Sequence, residues 1–369
     1  MQTAKDIVQT DLNLIANRLG PEFAQMAGRN LLIAGGAGFL GYYLVQGVLY
    51  WNRWNPEHFP IKITVLDNFV RGMPAWLESL RSEPNLRWEK HDITKPLGAD
   101  LGDYQYLVHA ASIASPIYYR RCPIETMDAN VGGLRHMLDY CYSQIGSGKT
   151  IEGMLFYSSS EIYGDPTPEN IPTPESYRGN VSCTGPRACY DESKRYGETL
   201  CVNFARQRGV PVKIARPFNN YGPGLKITDR RVIPDFARDI MAGRDIVMLS
   251  DGAPKRTFCY VADAVVGYYK ILKRGRAGEA YNIGVETPEI SVAELAEKIV
   301  GIARELGYQG RVVGQKSQDE DYLVDNPNRR CPIISKARTE LGYDPVVTLD
   351  EGLRRSLIWY TENLEATEA

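Results

Sequence analysis

Apolar residues at Ile7, Val8, Leu12, Ile15 and Leu19 recur at roughly helical spacing and predict an amphipathic helix over residues 5–19, packed on its own domain. From Asn30 the pattern changes. LLIAGGAGFLGYYLVQGVLY is a short apolar run, a glycine-rich turn and then an apolar stretch of helical length. Strand-like runs at IKITVLD (61–67), YLVHAA (106–111), GMLFYSS (153–159) and VKIARP (212–217) alternate with segments that read as helices. Continuous apolar strands alternating with helices predict an α/β fold, a doubly wound parallel sheet covered on both faces. After Pro217 the rhythm loosens into loops rich in Gly, Pro, Asn and Arg, with helical stretches at 231–242, 261–273 and 292–306.

The chain has 369 residues, enough for one large domain or two packed lobes. Its 43 Lys and Arg against 45 Asp and Glu leave a formal charge of −2, which argues against a dedicated nucleic-acid binder. Cys122, Cys141, Cys183, Cys189, Cys201, Cys259 and Cys331 form no CxxC pair and no cluster with histidine. That scatter fits neither a disulfide framework nor a zinc site, so no metal is expected and a reducing compartment is. The first twenty residues lack the apolar core of a signal peptide, and no window reaches the ~18 consecutive apolar residues of a membrane span. The expectation is a soluble, cytoplasmic protein without a membrane or nucleic-acid partner.

Candidate chemistry starts at GGAGFLG, where Gly35, Gly38 and Gly41 follow a predicted strand and open a predicted helix. Glycines there let backbone N–H groups approach a pyrophosphate, whose charge the helix N-terminus stabilises. Asp67 ends the next strand, where a carboxylate accepts hydrogen bonds from both ribose hydroxyls and repels a 2′-phosphate. This favours NAD over NADP, with Arg71 the residue that keeps NADP open. Asp92 in HDIT fits either a contact to the adenine amino group or a helix cap. YLVHAAS ends in small residues suited to a ring lying against backbone, and His109 within it reads as a packed residue. These features divide the chain into a helical extension (1–29), a Rossmann-type NAD-binding domain (30–217, with 258–284 returning to it) and a smaller, discontinuous α/β substrate lobe (218–257 and 285–360).

Tyr190 and Lys194 in CYDESKR stand four apart, on one face of a helix. A lysine beside a phenol favours phenolate and makes Tyr190 a proton acceptor near neutral pH. With GGAGFLG, LDN, HDIT, the Ser158-Ser159-Ser160 strand end, RPFNNYGPG and RTFCYVADA, this pair makes the chain resemble the extended short-chain dehydrogenase/reductase family of nucleotide-sugar enzymes, from about Asn30 to about Leu353. The resemblance implies a cofactor site of Gly35, Gly38, Phe39, Leu40, Gly41, Asp67, Asn68, Asp92, Ile93, Ala110, Ser112, Tyr190 and Lys194. It also implies that Tyr190 takes the sugar C4 hydroxyl proton while hydride passes to NAD, with Lys194 orienting the ribose and Ser159 polarising the oxygen.

Within that family SSSEIYGDP, GPRACYDESKR, ASIASPIYYRRCP and NRRCPIISKARTELGYDP are most similar to the UDP-glucuronate decarboxylases. Family dehydratases carry an Asp-Glu pair where this chain has Ser160-Glu161, and family 4-epimerases usually have a small or neutral residue at Glu161. The pair therefore points to decarboxylation of a UDP-glucuronate-like uronate, with a 4-epimerase or 4,6-dehydratase as the alternative and a non-catalytic NAD sensor behind both. By the same resemblance Arg256 holds the substrate carboxylate or the diphosphate, Asn219 lies near the diphosphate, and Ser160 touches substrate. Arg187 reads as a surface or salt-bridging residue. A homodimer is expected from the family, through a four-helix interface that includes the Tyr190 helix. The chain departs from the family at Gly222-Pro223-Gly224-Leu225, Tyr118-Tyr119-Arg120-Arg121, 181–186 and an insertion at 51–60, all expected near the sugar or nucleotide.

Overall fold

A computed structural model describes residues 2–98, 101–317, 319 and 324–368. Two helices come first, α1 (Ala4–Arg18) and α2 (Gly20–Met26), and α1 is closed by a capping box between Thr3 and Asp6. The sheet then begins with β1 (Asn30–Ala34) and runs through β2 (Lys62–Asp67), β3 (Leu86–Lys90), β4 (Tyr106–His109), β5 (Gly153–Tyr157) and β6 (Val212–Pro217). The strand Ala280–Ile283 completes it, and the order Ala280–Ile283, β6, β5, β4, β1, β2, β3 is parallel throughout. The order reverses between β1 and β4, so a crevice opens there at the carboxyl ends of the strands.

Helices cover both faces, which is why β4 and β5 are buried along their whole length. On one face α3 (Phe39–Trp54) packs against α1, and Gly47 makes the approach possible, because a Cβ there would lie 2.9 Å from Ile15. The helix Val261–Arg274 packs on β5 and β6 and leads into Ala280–Ile283. Outside the sheet, Val232–Met241, Val292–Arg304 and Leu349–Glu368 form a smaller lobe with short strands. One buried carboxylate ties these parts together. Asp11 of α1 accepts from Tyr43 Oη, Tyr260 Oη and Arg355 Nη1, each at 2.6 Å.

The 51–60 insertion lies elsewhere than expected. It lengthens α3 to Trp54 and forms the loop behind it, at the end of the helix opposite the glycine turn, and it borders no part of the crevice. Trp54 and Phe59 there are 64% and 81% exposed.

Candidate active site

The crevice has a volume of about 1870 Å³ and runs from the glycine turn to the smaller lobe. At its cofactor end the turn after β1 is too tight for side chains. A Cβ at Gly35 would meet Ala111 backbone at 2.5 Å, and one at Gly41 would meet Gly36 O at 1.9 Å. Gly41 therefore packs the turn onto α3, while Gly35, Gly38, Phe39 and Leu40 line the crevice. Gly38 caps α3 without a side-chain hydrogen bond, so the first amides of the helix remain available to an anion. Asp67 is fixed by Ala37 N at 3.1 Å and Phe69 N at 2.9 Å, and burial raises its pKa despite these bonds. Asn68, Ile93, Ala110 and Ser112 line the same wall. Asp92 also lines it, and its Oδ1 accepts from Thr94 N and Oγ1, a local turn contact that also depresses its pKa. Tight glycine turn, uncapped helix end and acceptor at the second strand together suit a dinucleotide.

At the other end, β5 runs into Ser158, and Ser159 caps the short helical turn Ser160–Tyr163 by accepting from Glu161 N at 3.1 Å. The helix Ala188–Arg208 presents Tyr190 and Lys194 beside it. Gly197 lets this helix come close to β5, since a Cβ there would lie 2.5 Å from Phe156 Cζ. Lys194 Nζ consequently reaches Tyr157 O at 2.8 Å. Behind the pair, a π-helical turn at Asp128–Gly133 brings Asn130 Nδ2 to Ser193 Oγ at 2.9 Å, and Ser193 Oγ bonds Tyr190 O.

The electrostatics differ from the simple expectation for a lysine–phenol pair. Burial pushes Tyr190 up to about 12, opposed mainly by a hydrogen bond from Ser159, and burial pushes Lys194 down to about 7. Lys194 sits 5.6 Å from the Tyr190 ring centroid, so the nearer aid to phenolate is Ser159. Tyr119 stacks on Tyr190 with ring centroids 5.0 Å apart. His109 is wholly buried against Phe156, with burial pushing it down to about 3.

Glu161 shows what the sequence reading missed. Its Oε2 accepts from Arg187 Nη2 at 2.6 Å and from Arg330 Nη2 at 2.7 Å, and Arg330 Nη1 also bonds Oε1. Burial alone would raise this carboxyl, but the two guanidinium groups hold it well below the usual carboxylate range. Arg187 is thus a buried salt-bridging residue, and Arg330, within NRRCPIISKARTELGYDP, lines the crevice beside it without a sequence signal of its own. Arg256 lines the crevice, but its guanidinium bonds Lys255 O, Asn326 Oδ1 and Pro327 O. It is joined to Arg330 by pairing of the strands Lys255–Arg256 and Arg329–Arg330. Burial, with Arg330 and Arg187 as like charges, pushes it down to about 9. Ser160 and Asn219 both line the crevice, and Asn219 adopts φ 41° while its Nδ2 bonds Thr257 O. Among the described residues no group of histidine, cysteine or acidic side chains could hold a metal.

Residues 31–284 match the model of the NAD dependent epimerase/dehydratase family. UDP-glucuronic acid decarboxylase 3 of Arabidopsis thaliana is 36% identical over 323 residues, covering 88% of this chain and 86% of that protein. UDP-glucuronic acid decarboxylase 1 of Xenopus tropicalis is 33% identical, covering 91% and 73%. Among solved structures, an epimerase of Methanothermobacter thermautotrophicus superposes with a TM-score of 0.78 at 28% identity, covering 94% of this chain and 96% of that one. The dTDP-glucose 4,6-dehydratase of Streptomyces venezuelae, solved with NAD bound, gives 0.75 at 27% identity, covering 91% and 98%.

Proposed function

The chain belongs to the NAD-dependent epimerase/dehydratase family, and from that premise we propose that it decarboxylates a UDP-linked hexuronate such as UDP-glucuronate to a UDP-pentose, regenerating its NAD. The observation that carries this reading is an excess of buried positive charge. Arg187, Arg256 and Arg330 are each at least 92% removed from solvent, with relative exposures of 7%, 8% and 5%. Glu161 is the carboxylate that ion-pairs with two of them. Buried cations in such excess favour an anion, and a uronate diphosphate brings both a carboxylate and phosphates. The similarity to two UDP-glucuronic acid decarboxylases supports the same substrate class.

In this mechanism bound NAD supplies the hydride acceptor and later the donor. Tyr190 takes the C4 hydroxyl proton, with Ser159 holding the same oxygen and Lys194 orienting the ribose. Oxidation turns the uronate into a β-keto acid. Loss of CO2 then leaves an enolate whose oxygen Ser159 and Tyr190 stabilise as hydrogen-bond donors. Arg330, fixed by Glu161, positions the departing carboxylate, Arg256 and Asn219 meet the diphosphate, and Ser160 packs against the sugar. C5 then takes a proton from water in place of the lost carboxylate, hydride returns to C4 and Tyr190 gives its proton back to the C4 oxygen. The decisive experiment incubates the protein with NAD and UDP-glucuronate. CO2 and a UDP-pentose are expected, with both lost in Tyr190→Phe; no CO2 from any nucleotide uronate refutes the assignment.

We further propose a cytoplasmic homodimer. All seven cysteines are free, which suits a reducing compartment, and no described helix is long and apolar enough to cross a membrane. Tyr142 and Tyr196, on the helices Leu134–Gly146 and Ala188–Arg208, are 41% and 53% exposed and support pairing through those helices. Light scattering tests it, and a monomer would remove it.

A further inference from the structure

The loop Lys226–Asp229, which comes from the smaller lobe, is fastened to both sides of the cofactor crevice. On one side it meets the turn that follows β2, where Arg71 Nη1 lies 3.4 Å from Asp229 Oδ2 and Lys226 Nζ donates to Arg71 O at 3.0 Å. On the other side it meets the segment that follows β4, where Ser115 Oγ donates to Asp229 O at 2.6 Å and Tyr118 Oη to Thr228 O at 3.2 Å. The two anchors also touch each other, since the Arg71 guanidinium lies 5.6 Å from the Tyr118 ring centroid.

The sheet order gives this arrangement its meaning. β1 lies between β2 and β4, and the glycine turn follows β1. A segment tied to the turns after β2 and β4 spans the crevice that the turn after β1 also lines, where a dinucleotide would place its pyrophosphate. The loop is no loose flap: Ile227 and Asp229 are buried, and the chain just before it is held on α3 through Gly224, where a Cβ would lie 2.6 Å from Tyr42.

We propose that this loop, clasped by Arg71 and Ser115, is a cofactor-retaining strap, so that NAD stays bound from one turnover to the next and leaves only when the clasp opens. The proposal rests on the NAD-dependent reading above and names the residues that keep the cofactor in place. It fits a cycle in which hydride returns to the substrate skeleton, since such a cycle has no need to exchange NAD with solution. Arg71, which the sequence left as a candidate for a 2′-phosphate, is instead directed at Asp229.

The test follows exchange of radiolabelled NAD bound to the intact protein against excess unlabelled NAD, without any sugar nucleotide, so it is independent of decarboxylation. The double variant Arg71→Ala with Ser115→Ala should exchange about tenfold faster or more, the effect of losing hydrogen bonds to a charged group and to a buried carbonyl. Arg71→Lys keeps the cation and the Ser115 contact and should keep most of the retention, and the circular dichroism spectrum of the NAD-free protein should be the same in all three. Because Arg71 is half exposed, raising the salt concentration should speed exchange in the wild type more than in the double variant. Tyr118→Phe gives an independent reading if the double variant fails to fold, with faster exchange again expected. Wild-type exchange rates in the variants, or a wild type insensitive to salt, would overturn the strap, and a wild type that holds no NAD would overturn the cofactor reading with it.

Discussion

Replacing Arg330 with Gln removes the guanidinium that grips Glu161 at both oxygens and leaves Arg187 as the remaining ion-pair partner of that carboxylate. Counting Arg187, Arg330 and Glu161 alone, the local charge falls from +1 to 0, and with it the attraction for an incoming carboxylate. A hydrogen bond to a charged group contributes about 1.5–3 kcal/mol. Loss of one such contact to the uronate should therefore weaken UDP-glucuronate binding by about 1.5–3 kcal/mol, or about 10- to 150-fold. The magnitude is specific to the carboxylate, which supplies the control. UDP-glucose shares the nucleotide and the ring but lacks the acid, so its affinity should change little. Titration calorimetry of wild type and Arg330→Gln with both ligands measures the difference directly. If the variant still prefers the uronate by the wild-type margin, or loses both ligands equally, Arg330 does not read the carboxylate.

Glu161→Gln should retain C4 oxidation but slow CO2 release, so NADH absorbance would build up during a single turnover; unimpaired decarboxylation would count against the role of Glu161. Lys194 makes stability depend on pH. Its pKa falls from 10.5 to about 7 on folding, so between those values the unfolded chain binds more protons and stability rises with pH. Urea unfolding of the NAD-free protein should show that rise, and Lys194→Met should flatten it. Asp11→Ala should strand Tyr43, Tyr260 and Arg355 without their buried acceptor, at a cost of about 3–5 kcal/mol in urea unfolding free energy.

The centre of the sheet was legible because β4 and β5 are buried on both faces and carry nearly continuous apolar runs, YLVH and GMLFY, whereas the edge strand β3, LRWEK, is largely exposed and has no such run. The helices Val232–Met241, Val261–Arg274 and Val292–Arg304 fall within a few residues of their predicted spans. The partners of Glu161 were hidden for a different reason. Arg330 lies 169 residues away and arrives on a two-residue strand, too short to carry any periodicity. Arg187 gave a weaker signal, since three residues before Tyr190 is one helical turn, but the Ala188–Arg208 helix begins only after it. The strap was hidden likewise, because Arg71 and Asp229 are 158 residues apart and only the crossing of two loops joins them.

Asp11 has consequences for the order in which this protein is made. The α1 helix leaves the ribosome before these partners, and its carboxylate waits for Tyr260 and then for Arg355, 249 and 344 residues further on. Until Tyr260 has been made, Tyr43 of α3 is the one of these three partners on hand, and the face of α1 that will meet Leu349–Glu368 stays uncovered until that helix follows. The nascent chain therefore carries an unfinished hydrophobic face between the synthesis of α1 and that of Leu349–Glu368, a face on which a chaperone would act and which closes when that helix arrives.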